Sequence, residues 1–193
     1  MGKLIMITGG ARSGKSSFAE DIAKGFGDNV LYIATSIPFD EEMKDRIKKH
    51  RELRPASWET IEAYKNMDEA IKDRLSEKDA VLLDCITVMV SNIMLEKAMD
   101  WEGISTGEIN MVEENVKREI DKLLHIFKGA GIPLIVVTNE LGMGVVPPYE
   151  AGRAMRDIAG RVNQMLAKEA DEVYLCVSGI PVKIKGLSGG RGC

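Results

Sequence analysis

The chain has 193 residues, of which 45% are hydrophobic and 29% charged, with a net charge of −4 and three cysteines. This composition is typical of a soluble globular protein and excludes a disordered chain, a membrane span, a disulfide framework and a CxxC-type zinc site. The acidic balance gives no general attraction to nucleic acid, so we expect no nucleic-acid partner. Without a signal-peptide pattern, we predict one cytoplasmic domain over residues 1–185 and a flexible Gly-rich tail over residues 186–193.

The first predicted elements are a buried strand over residues 4–8 and a helix over residues 17–24, joined by a glycine-rich loop. The loop fits G-x-x-x-x-G-K-[ST], in which backbone amides surround phosphates, the lysine reaches the outer phosphates and the final hydroxyl binds Mg2+. Lys15 is therefore the expected catalytic lysine and Ser16 a metal ligand. The predicted nucleotide-binding residues of this loop are Gly9, Gly10, Ala11, Arg12, Ser13, Gly14, Lys15 and Ser16.

Short apolar runs alternate with amphipathic helical stretches along the chain, a pattern typical of a parallel sheet buried on both faces. A final run after a turn at residues 178–179 predicts an antiparallel edge strand. The predicted fold class is therefore α/β, a three-layer sandwich with a mainly parallel sheet, of the P-loop NTPase (RecA-like) type. The predicted strands after the first are Val30–Ala34, Ala80–Asp84, 133–138, Glu172–Val177 and Ile180–Lys185.

Long connections leave the carboxyl ends of these strands, where ligands bind in open α/β sheets. They cover residues 36–64, 87–106 and 140–163. One strand ends in Asp84, as does the second acidic element of P-loop proteins, and Asp84 is predicted to hold Mg2+ directly or through water. The alternative is an aspartate that only forms the turn after a buried strand.

A charged helix is predicted over residues 40–54, with Met43 and Ile47 on its apolar stripe. At about 100° per residue, His50 and Arg54 project onto the same stripe, so we expect His50 to face the body of the protein. Spacing alone favours a packed or capped core histidine over a catalytic one.

Several motifs together resemble the bifunctional adenosylcobinamide kinase/adenosylcobinamide-phosphate guanylyltransferase family of cobalamin biosynthesis. The most specific are TGGARSGKS, the RI..H...RP..W.T.E run and VTNE.GMG..P. The others are LYIATS, LLDCITVMVSN, and RDIAGRVNQ with ADEVYLCVSGIPVKIK. The resemblance covers nearly the whole chain, whereas a P-loop alone would fit many families.

The resemblance implies two reactions. The first phosphorylates the aminopropanol hydroxyl of adenosylcobinamide with ATP or GTP, and the second transfers GMP from GTP onto that phosphate and releases pyrophosphate. His50 matches the family's histidine and is the implied carrier of the guanylyl group, a role that suits an imidazole that is nucleophilic near pH 7. The implied cofactor is Mg2+, and the implied partners are adenosylcobinamide, its phosphate and further copies of the chain in a homo-oligomer.

Further nucleotide contacts are expected around the histidine. Arg54 shares the inward stripe and could neutralise phosphate oxygens, whereas Arg51 fits a solvated surface equally well. Glu62 could accept hydrogen bonds from guanine N1 and N2 or be a surface acid. The remaining predicted nucleotide-binding residues are Ser36, Ile37, Pro38, Glu52 and Leu53.

Two regions are candidates for contacts with the corrinoid or with another subunit. Asn139 and Glu140 follow a core strand in a glycine-rich loop. The segment 87–106 is more apolar than one helix face requires, which fits either a subunit contact or a helix buried inside one chain. A helical stretch further on has a second face for substrate, a neighbouring subunit or solvent, and this face carries Arg153, Arg156, Gly160 and Asn163.

Two other classes of protein share the phosphate loop and Asp84. In a P-loop kinase for another small hydroxylated metabolite, His50 would be a structural or phosphate-binding residue. A GTP-dependent switch would carry an N-K-x-D guanine motif, which the sequence lacks, and a RecA-like motor would need a basic surface.

Overall fold

The computed structural model describes residues 2–37, 54–96 and 100–186, and this part of the chain contains seven strands in one sheet. The strands are β1 (Leu4–Gly9), β2 (Val30–Ala34), β3 (Glu59–Glu62), β4 (Ala80–Asp84), β5 (Leu134–Val137), β6 (Glu172–Val177) and β7 (Ile180–Lys185). Their order is β3-β2-β4-β5-β1-β6-β7, and all neighbours are parallel except β6 and β7. Most of the predicted His50 helix and of the predicted tail lies outside the described residues.

Helices cover both faces of the sheet. Alternate strand residues point to opposite faces, so Ile5 and Ile7 join one core cluster while Leu4 and Met6 join the other. The first cluster packs against α1 (Lys15–Lys24). The second packs against α2 (Met67–Ile71), α3 (Ile86–Leu95), α4 (Thr106–Ala130) and α5 (Glu150–Glu169). The three-layer α/β sandwich predicted from the sequence is confirmed.

The predicted strands agree closely with those found. β2, β4, β6 and β7 have the predicted bounds, β1 is one residue longer, and β5 is one residue shorter at each end. The antiparallel edge strand is also confirmed, as β7. β3 was not among the predicted strands. It extends the sheet beyond β2 and carries Glu62 at its end.

The apolar excess of the segment 87–106 is explained by burial inside one chain. α3 packs against both α4 and α5. Its side chains Met89, Val90, Ile93 and Met94 are buried, while Leu95 at its end is exposed. This helix therefore leaves little apolar surface for a subunit contact.

α4 is the longest described helix and has well-defined ends. The Ser105 side chain accepts a hydrogen bond from the Glu108 amide, and the Glu108 carboxylate accepts one from the Ser105 amide, which forms a capping box. The helix stops at Gly131, where φ is 72°. Neither α4 nor any other described helix has the length and apolarity that crossing a membrane requires.

Candidate nucleotide-binding and metal site

The glycine-rich loop after β1 requires glycine at two positions. A Cβ at Gly9 would lie 2.5 Å from the carbonyl oxygen of Cys176 in β6, which is too close for any side chain. Gly14 has φ 87°, in the left-handed region that favours glycine. α1 then begins without a capping side chain and without an acidic residue in its first turn. The amides and positive dipole end of that turn suit a bound phosphate.

Lys15 directs its charge back toward the loop. The residue is only 8% exposed, and its Nζ donates a hydrogen bond to the carbonyl oxygen of Gly10 at 2.9 Å. The neighbouring Ser13 hydroxyl is buried, with no hydrogen-bond partner among the described residues. A buried ammonium on a neutral acceptor, beside an unpartnered hydroxyl, is a favourable setting for an anion.

Two neighbouring turns support the phosphate loop through its backbone. The Gly179 amide, between β6 and β7, donates to the Ser13 carbonyl oxygen at 2.9 Å. The Glu140 amide, after β5, donates to the Gly9 carbonyl oxygen at 3.1 Å. The loop is therefore held by the strands on both sides of β1.

Asp84 ends the central strand β4 at the same edge of the sheet, because the carboxyl ends of parallel strands meet there. Its Oδ2 accepts a hydrogen bond of 2.9 Å from the phenol of Tyr32. Burial, followed by the Asp84 charge, raises the pKa of Tyr32 above its ordinary value, so the phenol stays protonated and donates. α1, which carries Ser16 in its first turn, packs against β1, β4 and β5.

The oxygen ligands at this edge of the sheet suit Mg2+ bound partly by phosphate and water better than they suit a metal ion bound by side chains alone. Ser16 and Asp84 offer a hydroxyl and a carboxylate, the hard oxygen ligands that Mg2+ prefers. Among the described residues, no group of three or more His, Cys, Asp or Glu side chains could hold a metal ion. Mg2+ is commonly bound by one or two protein oxygens together with phosphate and water oxygens. Ser16 and Asp84 offer this number of protein oxygens.

Arg54 contacts Tyr32, the residue that donates a hydrogen bond to Asp84. Its guanidinium carbon is 3.3 Å from the centroid of the Tyr32 ring, a cation–π contact. The Arg54 Nε is buried, and no described residue provides it with a hydrogen-bond partner. The ring of Trp58 lies 6.5 Å from the Tyr32 ring, centroid to centroid. Arg54 thus brings positive charge to the tyrosine that holds Asp84.

A closed ring of hydrogen bonds supports the loop after β5. The Asn139 amide donates to the Thr87 hydroxyl at 2.6 Å, and the Thr87 and Thr138 hydroxyls are 3.2 Å apart. The Thr138 hydroxyl donates to Asn163 Oδ1 at 2.7 Å, and Asn163 Nδ2 donates to the Asn139 carbonyl oxygen at 3.0 Å. Asn163 was predicted on the second face of α5, apart from its buried stripe. That prediction is wrong, because Asn163 is buried and hydrogen-bonded to these groups at the strand ends.

We expect Asn163→Ala to lower the free energy of unfolding by about 1–3 kcal/mol, because it leaves Thr138 and the Asn139 carbonyl without a buried partner. Gln164→Ala, one position along the same helix and exposed, should change it by no more than about 0.5 kcal/mol. Urea unfolding followed by circular dichroism measures both. Equal losses in the two variants would contradict the role of the ring.

Comparisons with known proteins show the family to which the chain belongs. A family model described as cobinamide kinase / cobinamide phosphate guanyltransferase matches residues 5–184. The chain belongs to this family. It is 44% identical to the bifunctional adenosylcobalamin biosynthesis protein CobU of Escherichia coli K12 and 46% identical to the protein of that name from Salmonella typhimurium LT2. Each alignment covers 94% of this chain and 99% of the relative.

The fold of this cobinamide kinase/guanyltransferase family member also resembles a solved structure of the RadB recombinase, with a TM-score of 0.50 at 18% identity. That match covers 90% of this chain and 73% of the recombinase. At this identity the likeness concerns the fold alone, and it agrees with the RecA-like P-loop class predicted from the sequence.

The other predicted nucleotide-binding residues of this family member fall into two groups. Ser36 and Ile37 are half-buried just after β2, and Glu62 is exposed at the end of β3, in register with Ala34. Ala34 in turn pairs with Asp84. Glu62 and Asp84 therefore lie at the ends of β3 and β4, the two strands that flank β2. The predicted residues outside the described ranges are Pro38, His50, Arg51, Glu52 and Leu53.

Cys85, directly after Asp84, is a small buried side chain. Burial, reinforced by the Asp84 charge, raises the pKa of its thiol to about 11. A thiol that stays protonated at neutral pH is a poor nucleophile. Its backbone instead bonds to Thr35, whose hydroxyl accepts from the Cys85 amide at 2.9 Å and donates to its carbonyl at 2.8 Å.

Proposed function

We propose that this protein phosphorylates the aminopropanol hydroxyl of adenosylcobinamide with ATP or GTP, and then transfers GMP from GTP onto the new phosphate. The observation that carries the proposal is the first turn of α1, which has no capping side chain and begins with the buried Lys15. The chain that contains this turn matches the bifunctional family from residue 5 to residue 184. Both nucleotides are cytoplasmic metabolites, and the cytoplasm is the compartment we propose.

In the kinase step, the substrate hydroxyl oxygen attacks the γ-phosphorus and releases its proton to solvent. The bond between the γ-phosphorus and the β,γ-bridging oxygen breaks, and ADP or GDP leaves with that oxygen. Lys15 neutralises charge on the outer phosphates, and the loop amides orient them in line with the acceptor. Mg2+ held by oxygens of Ser16 and Asp84 supplies further charge neutralisation. Positioning and electrostatics are the main protein contributions to phosphoryl transfer.

In the guanylyl step, a ring nitrogen of His50 attacks the α-phosphorus of GTP and pyrophosphate leaves. A phosphate oxygen of adenosylcobinamide phosphate then attacks the same phosphorus, which breaks the phosphorus–nitrogen bond and restores the imidazole. Three residues lie between His50 and Arg54, and the four residue-to-residue steps can span at most about 14 Å. The contact between Arg54 and Tyr32, which bonds to Asp84, supports this proposal, because a side chain four positions after His50 in the sequence lies at the site.

Glu62 is the proposed guanine contact. It is exposed at the end of β3. If the guanine base extends from the phosphate loop past Asp84, its N1 and N2 groups would donate hydrogen bonds to the Glu62 carboxylate. This would favour GTP over ATP in the guanylyl step.

We also propose that the protein forms a homo-oligomer through the surface beside α5. A groove of about 510 Å3 runs along Gly160 and Arg156. Gly142 in the loop after β5 and Ile184 in β7 line this groove, and the same two segments carry exposed apolar side chains. These are Met143 (79% exposed), Val145 (94%), Ile180 (65%), Val182 (49%) and Ile184 (56%). Apolar surface of this kind commonly belongs to a protein–protein contact, and a second copy of the chain is the occupant we propose.

Val182→Glu is expected to dissociate this oligomer, because it places a charge on the exposed apolar face of β7 that we propose as part of the contact. Leu95→Glu is the matched control, since Leu95 is also an exposed apolar residue, at 59% against 49% for Val182, but lies at the end of α3. Size-exclusion chromatography with light scattering gives the mass of each variant. A wild-type monomer, or loss of the oligomer in both variants, would contradict the assignment.

The proposed function is tested by incubating the protein with α-labelled GTP and Mg2+ and then denaturing it. We expect label that stays on the denatured chain, is released by acid, and moves to adenosylcobinamide phosphate when that acceptor is added before denaturation. A kinase for another metabolite or a GTP-dependent switch would retain no label.

A further inference from the structure

Tyr32 is a polar exception in the middle of a buried strand. Its neighbours in β2 are Leu31 and Ile33, and the tyrosine itself is only 2% exposed. A phenylalanine would fill the same space among apolar side chains. The hydroxyl, buried at a cost unless it is paired, donates to Oδ2 of Asp84.

The register of the sheet explains this contact. β2 and β4 run parallel, Ala34 pairs with Asp84, and Tyr32 pairs with Leu82. Tyr32 is thus a diagonal neighbour of Asp84 on the same sheet face, and the length of a phenol spans that diagonal. The bond occupies one carboxylate oxygen and fixes the rotation of the carboxylate, so that Oδ1 has a defined direction.

The tyrosine ring is itself held from its face. The Arg54 guanidinium stacks 3.3 Å from the ring centroid, and the Trp58 ring lies 6.5 Å away, tilted by 31°. A ring packed in this way has little freedom to turn, so its hydroxyl is a rigid donor.

We propose that Tyr32 is a positioning residue, which orients the Asp84 carboxylate for the Mg2+ that accompanies the bound nucleotide. This inference rests on the metal role of Asp84 in the proposed function. Removal of a residue that orients a metal-binding side chain typically weakens metal binding by about 10- to 100-fold. Tyr32→Phe keeps the ring, its packing and the contact with Arg54, and removes only the hydroxyl.

The experiment measures metal binding without catalysis. Each protein is held in excess over a GTP analogue with a methylene group in place of the α,β-bridging oxygen, which cannot guanylylate a histidine. Mn2+ is titrated as a probe for Mg2+, and the bound ion is counted from the loss of the free-ion electron paramagnetic resonance signal. We expect Tyr32→Phe to bind Mn2+ about tenfold more weakly than the wild type.

Tyr174→Phe is the matched control. The Tyr174 phenol also donates to a carboxylate at 2.9 Å, that of Glu172, at the opposite end of β6 from the phosphate loop. We expect this variant to bind Mn2+ like the wild type, and both tyrosine variants to melt within about 4 °C of each other. Equal weakening in the two variants would mean that Tyr32 acts only through general stability, and would overturn the inference.

Asp84→Asn separates this inference from the function on which it rests. If Asp84→Asn weakens Mn2+ binding while Tyr32→Phe does not, the positioning role is overturned and the metal role of Asp84 stands. If Asp84→Asn binds Mn2+ like the wild type, the metal role of Asp84 fails, and the positioning role fails with it. Transfer of label from α-labelled GTP then still reports on the guanylyl reaction independently.

Discussion

His50→Asn is expected to retain less than about one hundredth of the wild-type guanylyl label after incubation with α-labelled GTP and Mg2+. Asparagine is close to histidine in size, but its amide nitrogen has no free lone pair and cannot form the phosphorus–nitrogen bond. Phosphorylation of adenosylcobinamide should persist, because the attack of a hydroxyl on the γ-phosphorus does not use the imidazole. Counting label on denatured protein and following the corrinoid by chromatography measure the two activities separately.

His125→Asn is the control for this variant, since the chain has two histidines and His125 is exposed on α4. It should retain the label of the wild type. Persistent label on His50→Asn would refute the guanylyl-histidine. Loss of label from both variants would point to a general effect on folding.

Lys15→Met is expected to lower the rates of both reactions by about 10²- to 10³-fold, which corresponds to about 3–4 kcal/mol of transition-state stabilisation. The ammonium is the buried positive charge of the phosphate loop, and both reactions place the nucleotide phosphates there. Methionine keeps the apolar stem, so the loop should remain folded. Steady-state rates for phosphorylation and single-turnover rates for guanylylation measure the effect.

Lys24→Met is the matched control on the same helix. Its ammonium lies in the last turn of α1, half-exposed and paired with Asp21. The variant should keep both rates within about twofold, because surface ion pairs contribute little. A Lys15→Met protein that turns over at the wild-type rate, with an unchanged melting temperature, would refute the catalytic role of Lys15.

The central strands and the phosphate loop could be predicted from the sequence because their signals are local. Each central strand is a continuous apolar run, and the loop motif lies between a strand and a helix within sixteen residues. β3 gave no such signal. Its sequence, ETIE, is short and charged, as suits an edge strand, and its apolar neighbour Trp58 precedes it.

The side-chain contacts of the site could not be predicted, because they join residues that are far apart in the chain. Asn163 looks like a surface residue on an amphipathic helix, and only the fold brings it to Thr138, 25 residues away. Tyr32 looks like one more large side chain in a buried strand. Its partner Asp84 follows 52 residues later, and strand register alone brings the two together.

The backbone bond between Gly179 and Ser13 links the order of synthesis to the assembly of the nucleotide site. The phosphate loop is synthesised long before the turn that supports it, because Ser13 precedes β6, β7 and the turn between them in the chain. A nascent chain therefore carries the complete phosphate-binding motif long before it has the turn that braces it. Nucleotide binding would then stabilise only chains whose C-terminal hairpin has already paired, so that the ligand favours finished molecules over partly synthesised ones.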